Sequence, residues 1–188
     1  MNGDVLKQLR DGTCADGKTL KRGNLVLIGM PGCGKTAVSQ RAARLLRVKR
    51  YDSDEVIEAK TGLTITEIFE KHGEEYFREL ETQCLKELLK RKNTIIAAGG
   101  GAVLKNTGLL RENALVIYIE RDIKGILSTL RGDKRPLLRE NPEQRLSELL
   151  EERRSLYEGG CDVKITNDGS LSDVSKKVMG VYYAYFDY

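Results

Sequence analysis

Short apolar runs alternate along this chain with longer segments in which apolar residues recur every three or four positions. The runs predict strands at 24–30, 48–51, 94–98, 115–119 and 163–165. The periodic segments predict helices at 35–46, 54–60, 65–71, 74–91, 123–130 and 143–157, and a last helix from residue 171. Because strands and helices alternate throughout, the pattern predicts a parallel α/β sandwich with right-handed crossovers.

The helical periodicity also predicts which side chains face the core. The predicted core positions of the helices at 35–46 and 74–91 are Val38, Ala42 and Leu45, and Phe77, Leu80, Cys84 and Leu88. Arg78 and Glu81 lie on an adjacent face of the second of these helices. The arginines of the first helix point away from its core face and are interpreted as solvent-exposed; they are Arg41, Arg44 and Arg47.

Length and composition favour one compact unit. The chain has 188 residues, of which 40% are hydrophobic and 32% charged, so it can bury one core but is short for two. Residues 1–23 are polar and rich in turn-forming residues, and we expect them to form an N-terminal extension outside a single domain at 24–188.

Charge and apolar content narrow the possible partners. A formal net charge of +4 suits an enzyme that handles anionic substrates but falls short of the basic stripe of a dedicated nucleic-acid-binding protein. The sequence contains no run of 18 apolar residues and no apolar signal-peptide core, so we expect a soluble cytoplasmic protein without a membrane partner. Its four cysteines lie far apart without a C-x-x-C pair, which indicates neither a zinc site nor a disulfide framework.

A glycine-rich segment joins the first predicted strand to the first predicted helix. It reads Gly29-Met30-Pro31-Gly32-Cys33-Gly34-Lys35-Thr36. In a phosphate-binding loop of this pattern, the glycines let backbone N–H groups converge on phosphate oxygens, and the helix directs its positive dipole end at them. The lysine reaches the terminal phosphates, and the threonine hydroxyl contacts Mg²⁺. Because strand, loop and helix occur in the required order, the segment predicts a nucleotide site.

Further polar or flexible groups follow the second and third predicted strands. Asp52 and Asp54 come after the second strand, where an extended chain would point both carboxylates, about 6.6 Å apart, into one cleft. The alternative for this pair is helix capping, because aspartate is common at helix N-termini. The triplet Gly99–Gly101 follows the third strand, at the edge where α/β sheets bind ligands. Glycine lets the backbone approach a substrate closely, and a flexible turn is the alternative.

Several motifs together resemble those of the shikimate kinase family, and the resemblance extends from residue 24 to about residue 180. Besides the loop at 29–36, the matching motifs are Tyr51-Asp52-Ser53-Asp54, Ile65-Thr66-Glu67-Ile68-Phe69, Gly73-Glu74-Glu75-Tyr76-Phe77-Arg78-Glu79-Leu80-Glu81, Gly99-Gly100-Gly101-Ala102-Val103, Arg135-Pro136-Leu137-Leu138, and Glu152-Arg153 with Leu156-Tyr157. Their joint occurrence in the same order is far more specific than any one of them.

The resemblance implies both a fold and an activity. The fold is nucleoside-monophosphate-kinase-like, a three-layer α/β/α sandwich around a five-stranded parallel sheet in the order 2-3-1-4-5. The activity is transfer of the γ-phosphoryl group of ATP to the 3-hydroxyl of shikimate, on the route to chorismate and aromatic amino acids. A monomer that uses Mg²⁺ is expected, and the charged, helix-breaking stretch at about 131–141 becomes a mobile lid.

The same resemblance assigns candidate site residues. Those predicted to bind ATP are Gly32, Cys33, Gly34, Lys35, Thr36, Ala37, Arg131 and Arg135. Those predicted to bind shikimate are Asp54, Arg78, Gly99, Gly100, Gly101 and Arg153. The predicted catalytic residues are Lys35, Asp54 and Arg135, and the predicted Mg²⁺ contacts are Thr36 and, through water, Asp52.

Side-chain chemistry supports the arginine assignments, because a planar guanidinium is the best protein partner for a carboxylate such as that of shikimate. Alternatives stay open for both residues, namely a helix-surface pair of Arg78 with Glu81 and a solvated Arg153. Alternatives also stay open for the activity. These are a kinase of the same fold that acts on gluconate or a nucleoside monophosphate, and a non-catalytic nucleotide switch.

Four features depart from the family pattern. One is the lack of a clean second-strand carboxylate of the usual Walker B kind, which makes Asp52 the better candidate for the water-mediated Mg²⁺ contact. The lid is one or two residues shorter than usual. The place of an arginine that packs on adenine falls near Thr129, where Arg131 is the substitute. Ser155 replaces a proline before the Leu156-Tyr157 pair, a change expected to affect local rigidity rather than chemistry.

Overall fold

The structure is a computed structural model that describes residues 23–129 and 141–186. Its strands are β1 (Asn24–Ile28), β2 (Lys49–Asp52), β3 (Thr94–Ala97), β4 (Ala114–Glu120) and β5 (Val163–Thr166). Its helices are α1 (Lys35–Leu46), α2 (Ser53–Thr61), α3 (Ile65–Leu89), α4 (Val103–Asn113), α5 (Ile123–Thr129), α6 (Pro142–Gly160) and α7 (Leu171–Phe186). Nearly all of the predicted extension and of the predicted lid lies outside the described residues.

The strands form one parallel sheet in the order β2-β3-β1-β4-β5, as predicted. In its centre Val26 of β1 is aligned with Ile96 of β3 and with Val116 of β4. All five positions of β1 are buried, because α1 packs against α7 and α4 packs against α6 to form the helix layers of an α/β/α sandwich. Since the strands are parallel, the loops that follow them open at one edge of the sheet.

The chain after β2 does not stay extended. Ser53 and Asp54 are the first residues of α2, and Asp52 is its N-cap, with Oδ1 accepting a hydrogen bond from the backbone N–H of Asp54 at 3.2 Å. The prediction of an extended Asp52–Asp54 segment was therefore wrong, because the capping bond starts the helix one residue after the strand. Capping does not remove Asp52 from the sheet edge, so both carboxylates still lie there.

Two core predictions for the helices also need correction. Val38 and Ala42 are fully buried, but Leu45 is 49% exposed, since the buried stripe of α1 continues through Ala43 in the last turn. In α3 the buried position is Leu85 rather than Leu80, which is only half-buried. The arginines of α1 are exposed, as predicted.

One helix of the structure was not predicted from the sequence pattern. Residues 103–113 form α4, in which Val103, Asn106 and Leu110 are buried at helical spacing. Buried polar Asn106 interrupts the apolar stripe, and Gly108 lowers the helix propensity of the segment.

Helix α3 contains a break at Gly73 that divides it into two parts. It begins with a capping box between Thr64 and Glu67, and Gly73 interrupts it with φ 83° and ψ 172°. The break lies between the helices predicted at 65–71 and 74–91. The second part buries Phe77, Arg78 and Glu81, and the cavity described below receives side chains from both parts.

The last helix, α7, accounts for the tyrosine-rich end of the chain. Tyr182 and Tyr185 are buried against the rest of the core, so the packing interpretation of these residues is sufficient. Across the ranges 23–129 and 141–186, no helix combines the length and the apolar character that a membrane span requires.

Candidate active site

A cavity of about 460 Å³ opens at the carboxyl edge of the sheet. Its walls come from the 29–36 loop and α1, from the starts of α2 and α3, from the second part of α3, from the glycine triplet after β3, and from α6. The lining residues are Pro31, Gly32, Gly34, Lys35, Thr36, Ala37, Asp52, Asp54, Glu58, Ile65, Phe69, Phe77, Arg78, Glu81, Ala98, Gly99, Gly100, Gly101 and Arg153. This single cavity contains the phosphate-binding loop and the acidic and basic groups predicted for the second substrate.

Hydrogen bonds and a glycine cap fix the conformation of the phosphate-binding loop. Gly34 caps α1 with φ 103°, a conformation that glycine adopts without strain. Nζ of Lys35 donates to the carbonyl oxygens of Gly29 and Met30 at 2.8 and 3.0 Å. From the loop after β5, Nδ2 of Asn167 donates to the carbonyl oxygen of Cys33 at 2.7 Å. The ammonium group of Lys35 is therefore hydrogen-bonded within the loop itself.

Thr36 and Asp52 form a pair of oxygen ligands beside this loop. Oγ1 of Thr36 donates to Oδ2 of Asp52 at 2.8 Å. Hydroxyl and carboxylate oxygens suit Mg²⁺, which in nucleotide sites is held by one or two protein groups together with phosphates and water. Among the described residues there is no group of three or more His, Cys, Asp or Glu side chains that could hold a metal alone. The donor set fits Mg²⁺ that arrives with a nucleotide.

The pKa of Asp54 is unusually high for an aspartate. Burial, followed by the negative charges of Asp52 and Glu81, raises the pKa of Asp54 to about 7, whereas Lys35 lowers it by a smaller amount. Ser53, the residue before it, accepts a hydrogen bond on Oγ from the backbone N–H of Gly99 at 2.9 Å and so ties α2 to the glycine triplet. A carboxyl group with a pKa near neutrality can accept a proton from a substrate hydroxyl at physiological pH.

Arg78 is a buried cation between two carboxylates. Nη1 donates to Oε2 of Glu81 and Nη2 to Oε1 of Glu74, both at 2.8 Å, and Nε also reaches Glu74 at 3.2 Å. These bonds use three of the five guanidinium N–H groups, so donors remain for a further carboxylate. The alternative pair of Arg78 with Glu81 does form, but it does not lie on the helix surface, because Arg78 is 4% exposed and Glu81 is fully buried.

Glu81 is itself incompletely satisfied. Its second oxygen, Oε1, is buried and has no hydrogen-bond partner in the described ranges. Burial raises the pKa of Glu81, and the charge of Arg78 opposes that effect. An unpaired carboxylate oxygen that lines the cavity can accept a hydrogen bond from a bound ligand or water.

Each glycine of the triplet faces a different functional group. A Cβ added to Gly99 would collide with Oε1 of Glu81 and would lie 2.8 Å from Oδ1 of Asp54, and one on Gly100 would lie 2.7 Å from Cγ of Pro31 in the phosphate-binding loop. A Cβ on Gly101 would collide with the guanidinium of Arg78. Close approach, rather than turn flexibility, is therefore the reason for three consecutive glycines.

Helix α6 supplies the second arginine of the cavity. Arg153 is 3% exposed, and its Nη1 lies 3.4 Å from the carbonyl oxygen of Gly100. One turn later the hydroxyl of Tyr157 donates to the same oxygen, while its ring stacks on Tyr118 of β4 with 5.1 Å between the centroids. Burial raises the pKa of Tyr157, so its hydroxyl keeps its proton. The alternative of a solvated Arg153 was wrong.

A second cavity of about 390 Å³ adjoins the phosphate-binding loop on the side of β4 and β5. Its lining residues are Arg121, Asp122, Gly125, Thr166, Asn167, Asp168 and Gly169. Asn167 belongs to this cavity and also bonds the loop. Nη1 of Arg121, which lines this cavity, donates to Oγ1 of Thr129 at 3.0 Å.

The structure brings together most of the predicted site residues. Those that line the main cavity are Gly32, Gly34, Lys35, Thr36, Ala37, Asp52, Asp54, Arg78, Gly99, Gly100, Gly101 and Arg153. Cys33 is fully buried within the loop and contributes its backbone. Arg131 and Arg135 lie outside the described residues, and their assignments stay predictions.

Sequence reasoning missed several members of the site. They are Glu58, Phe69, Phe77, Glu81, Tyr157 and Asn167 as functional groups, although Phe77 was predicted to be buried and Glu81 was recognised as a neighbour of Arg78. Spacing could have indicated Glu81 and Tyr157, which lie one turn after Arg78 and Arg153, respectively. No local signal marks Asn167, which is 134 residues from its partner in the loop.

A phosphate-binding loop that faces buried arginines and a titratable carboxylate across one cleft defines a P-loop kinase for a small acceptor molecule. The family model described as Shikimate kinase matches residues 31–182. The chain belongs to the shikimate kinase family.

Individual relatives agree over most of their length. A shikimate kinase of Clostridium botulinum is 40% identical over 159 residues, which cover 84% of this chain and 95% of that protein. A shikimate kinase of Acinetobacter baumannii is 43% identical over 161 residues, covering 83% and 89%, respectively. A solved structure of shikimate kinase from A. baumannii in complex with shikimate matches with a TM-score of 0.83 and 40% identity, and covers 88% of this chain and 96% of that one.

Proposed function

We propose that the protein transfers the γ-phosphoryl group of ATP to the 3-hydroxyl of shikimate. The observation that carries the proposal is one cavity in which the phosphate-binding loop, Asp54, Arg78 and Arg153 meet. An acceptor that is both a carboxylate and an alcohol matches this set, because the arginines suit the carboxylate and Asp54 suits the reacting hydroxyl. The domain proposed for this activity is residues 24–188.

The nucleotide side of the site consists of the loop and its two flanks. Backbone N–H groups of 32–37 and the N-terminus of α1 would bind the phosphates, and Lys35 would leave the carbonyls of Gly29 and Met30 to reach the terminal ones. The second cavity, beside Asn167 and Arg121, has the position expected for the nucleoside. Thr36 and Asp52 would hold Mg²⁺, which when bound neutralises charge on the phosphate oxygens.

The acceptor side binds by charge and by shape. Arg78 and Arg153 would bind the carboxylate of shikimate, and the glycine triplet would let its ring lie against backbone. Phe69 and Phe77, whose ring centroids are 4.9 Å apart, supply an apolar wall. The unpaired oxygen of Glu81 offers an acceptor for a hydroxyl.

Chemistry would take place between these two sides. Asp54 orients the attacking hydroxyl and accepts its proton, and Lys35 stabilises charge on the transferring group. Because the transition state of phosphoryl transfer is loose, catalysis depends mainly on positioning and on charge stabilisation. A preformed, buried cation such as Arg78 is suited to these tasks. The catalytic role predicted for Arg135 stays a prediction.

A substrate panel tests the proposal. ADP formation from MgATP would be measured by a coupled assay with shikimate, gluconate and AMP in parallel, for the wild type and for Lys35→Ala. We expect turnover with shikimate alone, and its loss in Lys35→Ala with an unchanged circular dichroism spectrum; Lys49→Ala, at an exposed position of β2, is the matched control. Faster turnover with gluconate or AMP would assign another substrate, and nucleotide binding without turnover on any acceptor would favour the switch alternative.

A further inference from the structure

Arg50 lies two residues before Asp52 on β2 and joins three elements. Its Nη2 donates to Oδ2 of Asp52 at 2.8 Å, and Nη1 donates to Oε2 of Glu55 on α2 at 2.8 Å. Its Nε donates to Oγ of Ser39 on α1 at 3.2 Å. The side chain of Arg50 is 17% exposed, so its guanidinium is largely buried, and its planar fork donates to three different side chains.

Arg50 completes the hydrogen bonding of Asp52. Oδ2 of Asp52 accepts from both Arg50 and Thr36, and Oδ1 accepts from the backbone of Asp54. The single hydroxyl proton of Thr36 is thereby directed at Asp52, which leaves the lone pairs of Thr36 Oγ1 for another partner. The orientation of the threonine oxygen thus depends on where Arg50 holds the carboxylate.

We propose that Arg50 is a positioning residue for the pair of Thr36 and Asp52, so that the additional affinity that Mg²⁺ gives to a bound nucleotide depends on it. The inference rests on the proposed function, since it takes Thr36 and Asp52 as the protein oxygens that face Mg²⁺. Groups that orient metal ligands from behind are part of a metal site, and their loss typically weakens metal binding by about 10- to 100-fold.

Two other roles for Arg50 make different predictions. An ordinary surface ion pair with Glu55 would contribute little and would leave the metal effect unchanged. A cation that competes with Mg²⁺ for Asp52 would weaken metal binding, so its removal would strengthen it. The fold-change in the metal effect upon substitution therefore separates all three roles.

The experiment is calorimetric titration of ADP into the protein, with Mg²⁺ and with EDTA, and it needs no turnover. The quantity compared is the ratio of the dissociation constant of ADP without Mg²⁺ to that with Mg²⁺. The variants are Arg50→Gln, which removes the charge and the fork, and Arg50→Lys, which keeps the charge but cannot reach three partners at once. The matched control is Lys60→Gln, which breaks the exposed ion pair of Lys60 with Glu87.

We expect the ratio to fall by about tenfold in Arg50→Gln and also to fall in Arg50→Lys, with metal-free binding and the control unchanged. An unchanged ratio in both variants, or a higher ratio in Arg50→Gln, overturns the inference while leaving the proposed function intact. Absence of any Mg²⁺ effect in the wild type overturns the proposed metal contacts and the inference with them. Should Arg50→Gln fail to fold, as judged by circular dichroism, Arg50→Lys decides between these outcomes.

Discussion

A Cβ on Gly101 would lie 2.5 Å from Cζ of Arg78, well inside van der Waals contact. The backbone at Gly101 is not in the left-handed region, so a larger residue is excluded there by the guanidinium rather than by backbone strain. Arg78 in turn is held by Glu74 and Glu81 and cannot move aside without breaking ion pairs. Gly101 and Arg78 therefore form one unit of the acceptor site.

Substitution of Gly101 should consequently act on the acceptor alone. In Gly101→Ala we expect the displaced guanidinium to raise KM for shikimate by about 10- to 100-fold, since small misplacements of a binding group have effects of this size. KM for ATP should stay within about twofold of the wild type, as the methyl group does not face the loop. Steady-state kinetics with each substrate varied in turn measures both. Gly108→Ala is the control, because in the described part of the chain no atom outside the adjacent backbone of its own helix lies within 4 Å of the new Cβ.

The charge of Arg78 can be separated from its geometry with Arg78→Lys. Lysine keeps the positive charge but loses the planar fork that reaches Glu74, Glu81 and a substrate carboxylate together. Removal of a charge-assisted hydrogen bond is worth roughly 1.5–3 kcal/mol, so KM for shikimate should rise about 10- to 100-fold. The exposed neighbour of Arg153 provides the control Arg154→Lys. A rise confined to KM for ATP would place Arg78 in the wrong half of the site.

Asp54→Asn tests the proton acceptor. The variant keeps size and hydrogen bonding but cannot take a proton, so kcat should fall by about 10²- to 10⁴-fold. In the wild type, kcat/KM for shikimate should decline as the pH falls below about 7, because the raised pKa of Asp54 leaves the carboxyl protonated there. The variant should lack this decline. A loss of kcat below tenfold would mean that Asp54 only orients the hydroxyl.

The same pKa shift predicts a stability effect with a definite sign. The pKa of Asp54 is about 7 in the folded protein but near the ordinary aspartate value of 3.8 in the unfolded chain, so the folded state binds more protons between these pH values. The free energy of unfolding should therefore fall as the pH rises through that window. Asp54→Asn removes this pH dependence. The Tm of the variant minus the Tm of the wild type should therefore be larger at pH 8 than at pH 5. Glu151→Gln, an exposed position on α6, should show no such difference.

Tyr157→Phe deletes one hydroxyl from a fully buried ring. Among the described residues, the carbonyl of Gly100 would then keep only the long contact with Arg153, at 3.4 Å. We expect a loss of about 0.5–1.5 kcal/mol in unfolding free energy for the missing hydrogen bond. If the bond also positions Gly100 and Arg153, KM for shikimate rises severalfold while kcat and KM for ATP do not change. Denaturant unfolding and steady-state kinetics, with the exposed Tyr183→Phe as control, distinguish a purely structural hydroxyl from a positioning one.

The sequence predicted those parts of the fold and of the site that are encoded by residues adjacent in the chain. The 29–36 loop carries its chemistry in eight consecutive residues, and the run Leu25–Ile28 has no polar position that could face solvent. Arg78 and Arg153 were found through motifs, and the structure shows them buried in one cavity, a property that periodicity alone did not indicate.

The parts that the sequence did not predict depend on contacts between distant segments. Whether Leu45 is buried is decided by which part of α1 is covered by α7, and the sequence of α1 does not contain that information. The partnership of Asn167 with Cys33 exists only once β5 has been placed beside β4. The helical start at Ser53 is a local event, but the sequence analysis favoured an extended chain there and kept the capping bond only as the alternative.

The self-bonded lysine of the loop has a consequence for selectivity among anions. Because Lys35 already donates to two carbonyl oxygens and, at 3.8 Å, to Sγ of Cys33, an incoming anion must replace at least one of these contacts to gain a bond from the ammonium group. Inorganic phosphate offers few additional contacts in exchange, whereas a nucleotide also brings groups that can bind along the loop and in the cavity beside Asn167. We therefore expect the loop to bind ATP far more tightly than it binds inorganic phosphate or sulfate.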